Sequence, residues 1–129
     1  MSSRAVRTLF RAWAATLATP YHDTINLAVN PAEAIWSTAR FDPATNTKTT
    51  FCANAEEEGQ IEMIYAAQPG IGDDALLQAV EADLAVMLAK VDPTGRFVLT
   101  GNDPPEDASF GDADSTYRIA VMFTYVFYH

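Results

Sequence analysis

The chain has 129 residues, a net charge of −9 and one cysteine, Cys52. This length predicts a single domain, and a lone cysteine excludes both an internal disulfide and an all-cysteine metal site. The excess of acidic residues argues against binding to nucleic acid, because affinity for phosphates comes largely from Lys and Arg. Arg4, Arg7 and Arg11 interrupt any secretory-signal core, and no run approaches about 18 apolar residues, so we expect neither a signal nor a membrane span.

The first predicted element is a helix from about Arg4 to Leu17, with Ser2 or Ser3 as its N-cap. The helix ends by Thr19-Pro20, since a residue before proline avoids the helical region. Its apolar residues recur at helical spacing and form one stripe: Val6, Leu9, Phe10, Trp13 and Leu17. The three arginines fall on the opposite side.

Three strands are predicted next. Residues Thr24–Val29 alternate between apolar and polar, and Ala34–Phe41 carries the large side chains Trp36 and Phe41. Thr47–Ala53 is rich in β-formers, and we expect it to pair with Ala34–Phe41 as a hairpin. Glu56-Glu57-Glu58-Gly59 then interrupts the pattern and is interpreted as a solvated loop.

A fourth strand, Gln60–Ala67, leads through a Pro-Gly turn into the clearest predicted helix, Asp74–Val91, with Asp73 as its N-cap. Its apolar stripe is Leu77, Val80, Leu84, Met87, Leu88 and Val91. Arg96–Thr100 is a short predicted strand, and Gly101–Asp114 is a long acidic loop of a kind that is usually functional or disordered.

The last stretch, Tyr117–Tyr128, has no Gly or Pro and is dominated by aromatic and β-branched residues. Such a composition predicts a central strand, flanked by Gln60–Ala67 and Arg96–Thr100 and covered on one face by the second helix. Its length of roughly 40 Å is about twice that of a common strand, which suggests a role in assembly. The fold class predicted is α+β, with an antiparallel or mixed sheet and two helices packed on one face. We expect the second face of the terminal strand, or its overhanging end, to contact another subunit or the N-terminal helix.

Few residues suggest chemistry. His22 and His129 are the only histidines, and neither has the spacing of a metal-binding motif. No serine lies in a Gly-x-Ser-x-Gly setting. Three consecutive glutamates on a strand do not converge on one ion. We therefore expect no catalytic residue, no metal site and no cofactor.

The Gln68–Asp73 segment connects a strand to a helix, as phosphate-binding loops do. It lacks the third glycine of a dinucleotide fingerprint and the lysine of a P-loop, and two aspartates occupy the start of the helix. A tight structural turn is the favoured interpretation. A small enzyme or ligand-binding module that uses Pro69–Asp73 remains a less favoured alternative.

The whole pattern resembles the tail terminator proteins of long-tailed bacteriophages and gene transfer agents. The resemblance covers nearly the whole chain. It consists of the N-terminal helix, Pro31–Phe41 with Trp36, the Glu58-Gly59 break, the Ala66–Gly72 strand end, the Ala/Leu-rich helix that follows, and the terminal strand beginning at Tyr117-Arg118.

This resemblance implies a structural virion protein without enzymatic activity, which forms a hexameric ring in the neck of the tail after assembly in the host cytoplasm. The ring caps the tail tube, ends polymerisation of the tube protein and joins the head–tail connector or stopper, while DNA passes through its lumen. A head–tail joining or tail completion protein is the alternative. The residues predicted at a ring or tail interface are Trp36, Glu56, Glu57, Glu58 and Tyr128; for Trp36 a position in the core is the favoured interpretation and the interface the alternative.

Overall fold

A computed structural model describes residues 3–23, 33–48, 55–107 and 117–129 of the chain. Within them the order of elements is α1 (Arg4–Ala15), β1 (Ile35–Phe41), β2 (Thr45–Lys48), β3 (Ala55–Ala67), α2 (Asp73–Ala89), β4 (Phe97–Asn102), β5 (Glu106–Asp107) and β6 (Tyr117–Tyr128). The strand predicted at Thr24–Val29 and the cysteine Cys52 lie outside the described residues. Neither of the two described helices is long and apolar enough to cross a membrane.

The strands form one sheet in the order β1-β3-β6-β4, with β2 added to β3 and β5 added to β6. All of these pairings are antiparallel, and Tyr21 adds an isolated parallel bridge to Ser37. The α+β class with an antiparallel sheet is therefore confirmed. The terminal strand has the predicted bounds and lies between the two strands expected to flank it.

Side chains of β3 and β6 alternate between two faces of the sheet. The face toward the helices, which we call the core face, carries the odd-numbered residues, and those of β6 from Ile119 to Phe127 are all buried. The even-numbered residues of β6 lie on the opposite face, which we call the open face, and they are half-buried or exposed. The terminal strand is thus buried on one face only.

Helix α1 packs on the core face. The Ser3 hydroxyl accepts a hydrogen bond from the Val6 amide at 3.3 Å, which confirms the predicted N-cap. The Phe10 ring meets the rings of Phe41 and Phe123 at centroid distances of 5.8 and 5.9 Å. The suggestion that the second face of the terminal strand contacts this helix is therefore wrong.

Helix α2 also packs on the core face, but in a different rotation from the one predicted. Its buried residues are Leu76, Val80, Asp83 and Met87. Of the predicted stripe, Val80 and Met87 are buried and Leu77 and Leu84 are partly buried against the core, but Leu88 is 46% exposed and Val91 is 81% exposed. Gly72, rather than Asp73, is the N-cap, and it has a positive φ of 88°.

A polar contact in the core accounts for the rotation of α2. The Tyr65 hydroxyl donates to Asp83 Oδ2 at 3.1 Å, and the two residues are 2% exposed. Burial first, and then the Asp83 charge, raise the pKa of Tyr65, so its hydroxyl stays protonated and can donate. Because a buried carboxylate needs a donor, this bond favours the rotation that turns Asp83 inward. A stripe built from apolar residues alone could not include it.

Strand β3 also differs from the prediction. It runs for 13 residues and includes Glu56-Glu57-Glu58-Gly59, which was predicted to be a loop. Its register with β6 pairs Glu56 with Tyr128 and Ala67 with Tyr117, so every residue of β6 has a partner on β3. The terminal strand has no overhanging end toward β3, and its length is matched within its own sheet.

Of the strand Thr47–Ala53 predicted to form a hairpin with Ala34–Phe41, residues 49–53 lie outside the described residues, and the described part belongs to β2, which pairs with β3 and not with β1. Thr45 lies opposite Glu58, while Phe41 lies opposite Ile61. Strands β1 and β2 therefore follow one another along the same edge of β3, separated by residues 42–44. Strand β2 can pair with β3 only because β3 includes the residues before Gly59.

We expect Tyr65→Phe to lower the free energy of unfolding by about 1–3 kcal/mol, because the buried Asp83 carboxylate loses its donor. Chemical denaturation measures the change. Tyr65→Phe combined with Asp83→Ala is expected to cost less than the sum of the two single changes. Strict additivity would contradict the contact, and Tyr117→Phe, at a half-buried position, is the matched control.

Candidate interaction surface

The open face is the side of the sheet that points away from the two described helices. Its apolar residues include Ala120, Met122 and Val126, all half-buried, and Val98, which is 43% exposed. Apolar side chains in this number on one side of a sheet are typical of a surface that contacts another molecule. The register places Val98 beside Val126, so these residues are neighbours rather than isolated.

The predicted interface residues Glu56, Glu58 and Tyr128 come together at one end of this face. Glu56 lies directly opposite Tyr128, and Glu58 lies directly opposite Val126. Tyr128 is 48% exposed, and Glu58 is exposed. The sequence therefore placed these three residues on an accessible surface, although it assigned the two glutamates to a loop.

Two depressions mark the open face. The larger has a volume of about 480 Å³, and its lining includes Glu58, Gln60, Thr124 and Val126. The smaller, of about 100 Å³, has a floor of Ala120 and Met122 and is bordered by Glu62, Asp103, Pro104 and Glu106. The smaller combines an apolar floor with carboxylates, an arrangement that accommodates the aliphatic stem and charged end of a basic side chain, whereas the larger is lined mainly by polar residues and has Glu58 as its carboxylate.

Arg40 neutralises part of this acidic surface. Its guanidinium lies 3.1 Å from Glu62 Oε2 and 3.6 Å from Asp42 Oδ1. Arg96 also belongs to the open face, since its carbonyl accepts from the Tyr128 amide and places it opposite that residue. The described acids of this face (Glu56, Glu58, Glu62, Asp103 and Glu106) nevertheless outnumber its arginines (Arg40, Arg96 and Arg118).

The prediction that Glu57 lies at the interface is wrong. It is 1% exposed and lies on the core face, so it is not available to a ring or tail partner. Its Oε2 accepts hydrogen bonds from the Tyr125 hydroxyl at 2.7 Å and from the Ser3 amide at 3.1 Å. His129 Nε2 lies 3.4 Å from its other oxygen.

The Glu57 carboxylate is held in its charged form. Burial by itself raises the pKa of Glu57, but the hydrogen bonds from Tyr125 and Ser3, with the nearby His129, outweigh burial and leave the pKa below its ordinary value of 4.5. Burial and the same carboxylate raise the pKa of Tyr125. The site therefore consists of a protonated phenol donating to a charged carboxylate.

Gly59 makes this contact possible. A Cβ atom at position 59 would lie 2.7 Å from the Tyr125 hydroxyl oxygen and 2.9 Å from the ring carbon that carries it. The phenol thus passes over the glycine to reach Glu57. Sequence reasoning took Gly59 as a strand break, and no local signal distinguishes that role from a space for an aromatic side chain on the neighbouring strand.

Trp36 is buried as well, with 3% exposure, which favours the interpretation as a core residue over an interface residue. It lies on the open face at the β1 edge, where the His22 ring approaches it edge to face at 6.4 Å between centroids. His22 Nε2 lies 3.1 Å from Glu33 Oε1. This corner of the face is covered by the chain itself.

The other candidate sites gain no support. The Pro69–Gly72 turn is exposed, its glycines Gly70 and Gly72 have positive φ, and Asp73 and Asp74 fill the first turn of α2. Among the residues that the structure describes, no group of three or more His, Cys, Asp or Glu is arranged to hold a metal ion. Ser109 and Ser115 lie outside those residues.

Comparison with known proteins does not assign a family. The chain matches none of the protein-family models scanned. A search of curated proteins also finds no match.

We expect Gly59→Ala to destabilise the protein by about 1–3 kcal/mol, because the new methyl group displaces the Tyr125 phenol from Glu57. Thermal and denaturant unfolding measure the effect. Gly101→Ala is the matched control in the same sheet: its Cβ would be 3.7 Å from Thr124 Oγ1, an ordinary contact. Equal costs for the two substitutions would contradict the close approach at Gly59.

Glu57→Gln is expected to reduce the dependence of stability on acid pH. Because the folded pKa of Glu57 lies below the unfolded one, its charge contributes stability above about pH 4.5, and this contribution is lost as pH falls through the folded pKa. The difference in unfolding free energy between wild type and variant should therefore narrow from pH 7 to pH 3. A difference that is constant over this range would contradict the assignment.

Proposed function

We propose that this protein is a structural subunit of a ring that ends the polymerisation of a phage-type tail tube, as tail terminator proteins do. The observation that carries the proposal is the open face, a broad sheet surface with half-exposed apolar residues and carboxylates. The sequence resemblance supports it independently, since it spans the first helix, Pro31–Phe41, the Ala66–Gly72 strand end and the terminal strand. The α+β fold agrees with what that resemblance implies.

The geometry favours a protein that binds other proteins. Val98, Val126 and Tyr128 are accessible side by side, and burying apolar area of this kind is the main favourable contribution to protein association. The carboxylates around them favour partners that carry Lys or Arg. Tail tube protein, the head–tail connector or stopper, and other copies of the chain are the proposed partners.

The net charge of −9 supports a further part of the proposal, the passage of DNA through the ring. DNA carries about one negative charge for every 1.7 Å of helix axis, and an acidic lumen repels it. Repulsion prevents DNA from adhering to the ring wall during ejection. No sequence-specific DNA contact is proposed.

A head–tail joining or tail completion role is the second candidate. The same open face would serve it, because a neck protein also binds two different neighbours through broad surfaces. The difference between the two roles lies in whether the protein contacts tube protein directly. A ligand-binding role for the Pro69–Asp73 turn is not proposed, because the acidic residues at the start of α2 repel anions.

The decisive experiment adds the purified protein to polymerising tail tube protein. We expect tubes of restricted length with this protein at one tip in electron micrographs, and a mass near six subunits of 14.1 kDa by light scattering. A protein that is monomeric at every concentration and leaves tube length unchanged would exclude the proposal. Binding to connector protein without binding to tubes would favour the head–tail joining role.

A further inference from the structure

Helix α1 and the open face carry net charges of opposite sign, while α2, on the same side of the sheet as α1, begins with Asp73 and Asp74. Helix α1, on the core side, contains three arginines and no acidic residue: Arg4, Arg7 and Arg11, which we call the arginine face. The open face, on the other side, has more carboxylates than arginines. The molecule therefore presents a basic surface and an acidic surface that point in different directions.

The arginine face is held in place by an aromatic ring. The guanidinium carbons of Arg7 and Arg11 lie 5.1 and 5.3 Å from the centroid of the Phe41 ring. Arg11 also lies 3.5 Å from Asp23 Oδ1, and this ion pair partly neutralises its charge. Arg4, in the first turn, is exposed. Side chains that are already ordered lose less conformational entropy when they bind.

The acidic surface is spread along the open face. Glu58 borders the larger depression, and Asp103 and Glu106 border the smaller one beside Glu62. Glu58 and Glu106 are both exposed. Tyr128, half-exposed next to Glu56, offers an aromatic surface on which a guanidinium can stack.

Two open faces are poor partners for each other, because contact between them brings carboxylates together in a partly desolvated interface. The arginine face of a second copy has the complementary charge and is present on every molecule. Contact between two different surfaces of identical chains is head-to-tail, and head-to-tail contacts generate rings when the rotation between copies closes.

We propose that neighbouring subunits associate by docking the arginine face of one copy on the acidic open face of the next. This inference rests on the proposed ring and names the two surfaces that form it. The carboxylates beside the two depressions receive the arginines, and Val98, Val126 and Tyr128 contribute apolar contact area around them.

The first test places an Arg→Glu substitution on the arginine face and another on the open face. Arg4→Glu reverses a charge on the arginine face, and we expect it to raise the dissociation constant of the assembly at least about tenfold. Arg96→Glu makes the open face more acidic, so the same exchange there is expected to leave assembly unchanged or tighter. Sedimentation velocity over a concentration series measures both.

The second test combines complementary variants. Glu58→Arg/Glu106→Arg is expected to assemble poorly alone, as is Arg4→Glu, but an equimolar mixture should assemble in alternation because every contact then joins opposite charges. Equal association of Glu58→Arg/Glu106→Arg with wild type and with Arg4→Glu would overturn the proposal in favour of contact between two open faces, because those two partners have the same open face.

Folding and specificity controls are available in the chain. An acidic residue in the first turn of a helix is favourable, so Arg4→Glu should unfold no earlier than wild type. Glu81→Arg, on the exposed side of α2, should leave assembly unchanged. If wild type assembles and caps tubes but neither Arg4→Glu nor Glu58→Arg/Glu106→Arg changes assembly, the docking proposal fails while the proposed function stands. If wild type neither assembles nor caps tubes, both fail.

Discussion

The contact between the Tyr125 hydroxyl and the Glu57 carboxylate is the interaction on which much of the architecture depends. It joins the two longest strands, and the same carboxylate accepts from Ser3 at the start of α1 and lies beside His129 at the end of β6. A charged carboxylate is stable in a buried position only when donors surround it. Because these donors come from residues near both ends of the described chain, the carboxylate is satisfied only when α1 is docked and β3 and β6 are in register. A shift of one residue would turn Glu57 to the open face and leave Tyr125 without its acceptor.

Periodicity was sufficient to predict the elements whose neighbours are apolar. The bounds of the terminal strand and the N-cap of α1 were obtained from the sequence, since Tyr117–Tyr128 has no competing turn residue and Ser3 precedes a regular stripe. Glu56–Gly59 could not be predicted in this way. Glutamate and glycine have low strand propensity, and the residues that stabilise the strand here, Tyr125 and Ser3, are distant in sequence. The pairing of β2 with β3 could not be predicted either, because β2 needs the extended β3 as its partner.

Helix α2 illustrates a different limit. Its existence was predictable from its apolar content, but its rotation was not, because it has two apolar stripes and only one contains Asp83. Counting apolar residues selects the stripe through Leu84 and Leu88. The structure turns the helix so that Leu76 and Asp83 are buried together with Val80 and Met87 of the predicted stripe, and the Tyr65 hydroxyl satisfies the aspartate. Single buried polar contacts can thus decide between packings that are similar in hydrophobic area.

The extent of β3 changes the explanation for the length of the terminal strand. Twelve residues suggested that part of the strand served assembly, yet all twelve are paired with β3. In the described chain, the part of β6 that the helices leave uncovered is one face of the strand and not one of its ends. The residues on that face, among them Thr124, Val126 and Tyr128, alternate with a buried set and leave valine, methionine and tyrosine side chains partly exposed. The surface proposed for assembly is therefore the open side of the strand and not its end, because apolar area and carboxylates occur together there.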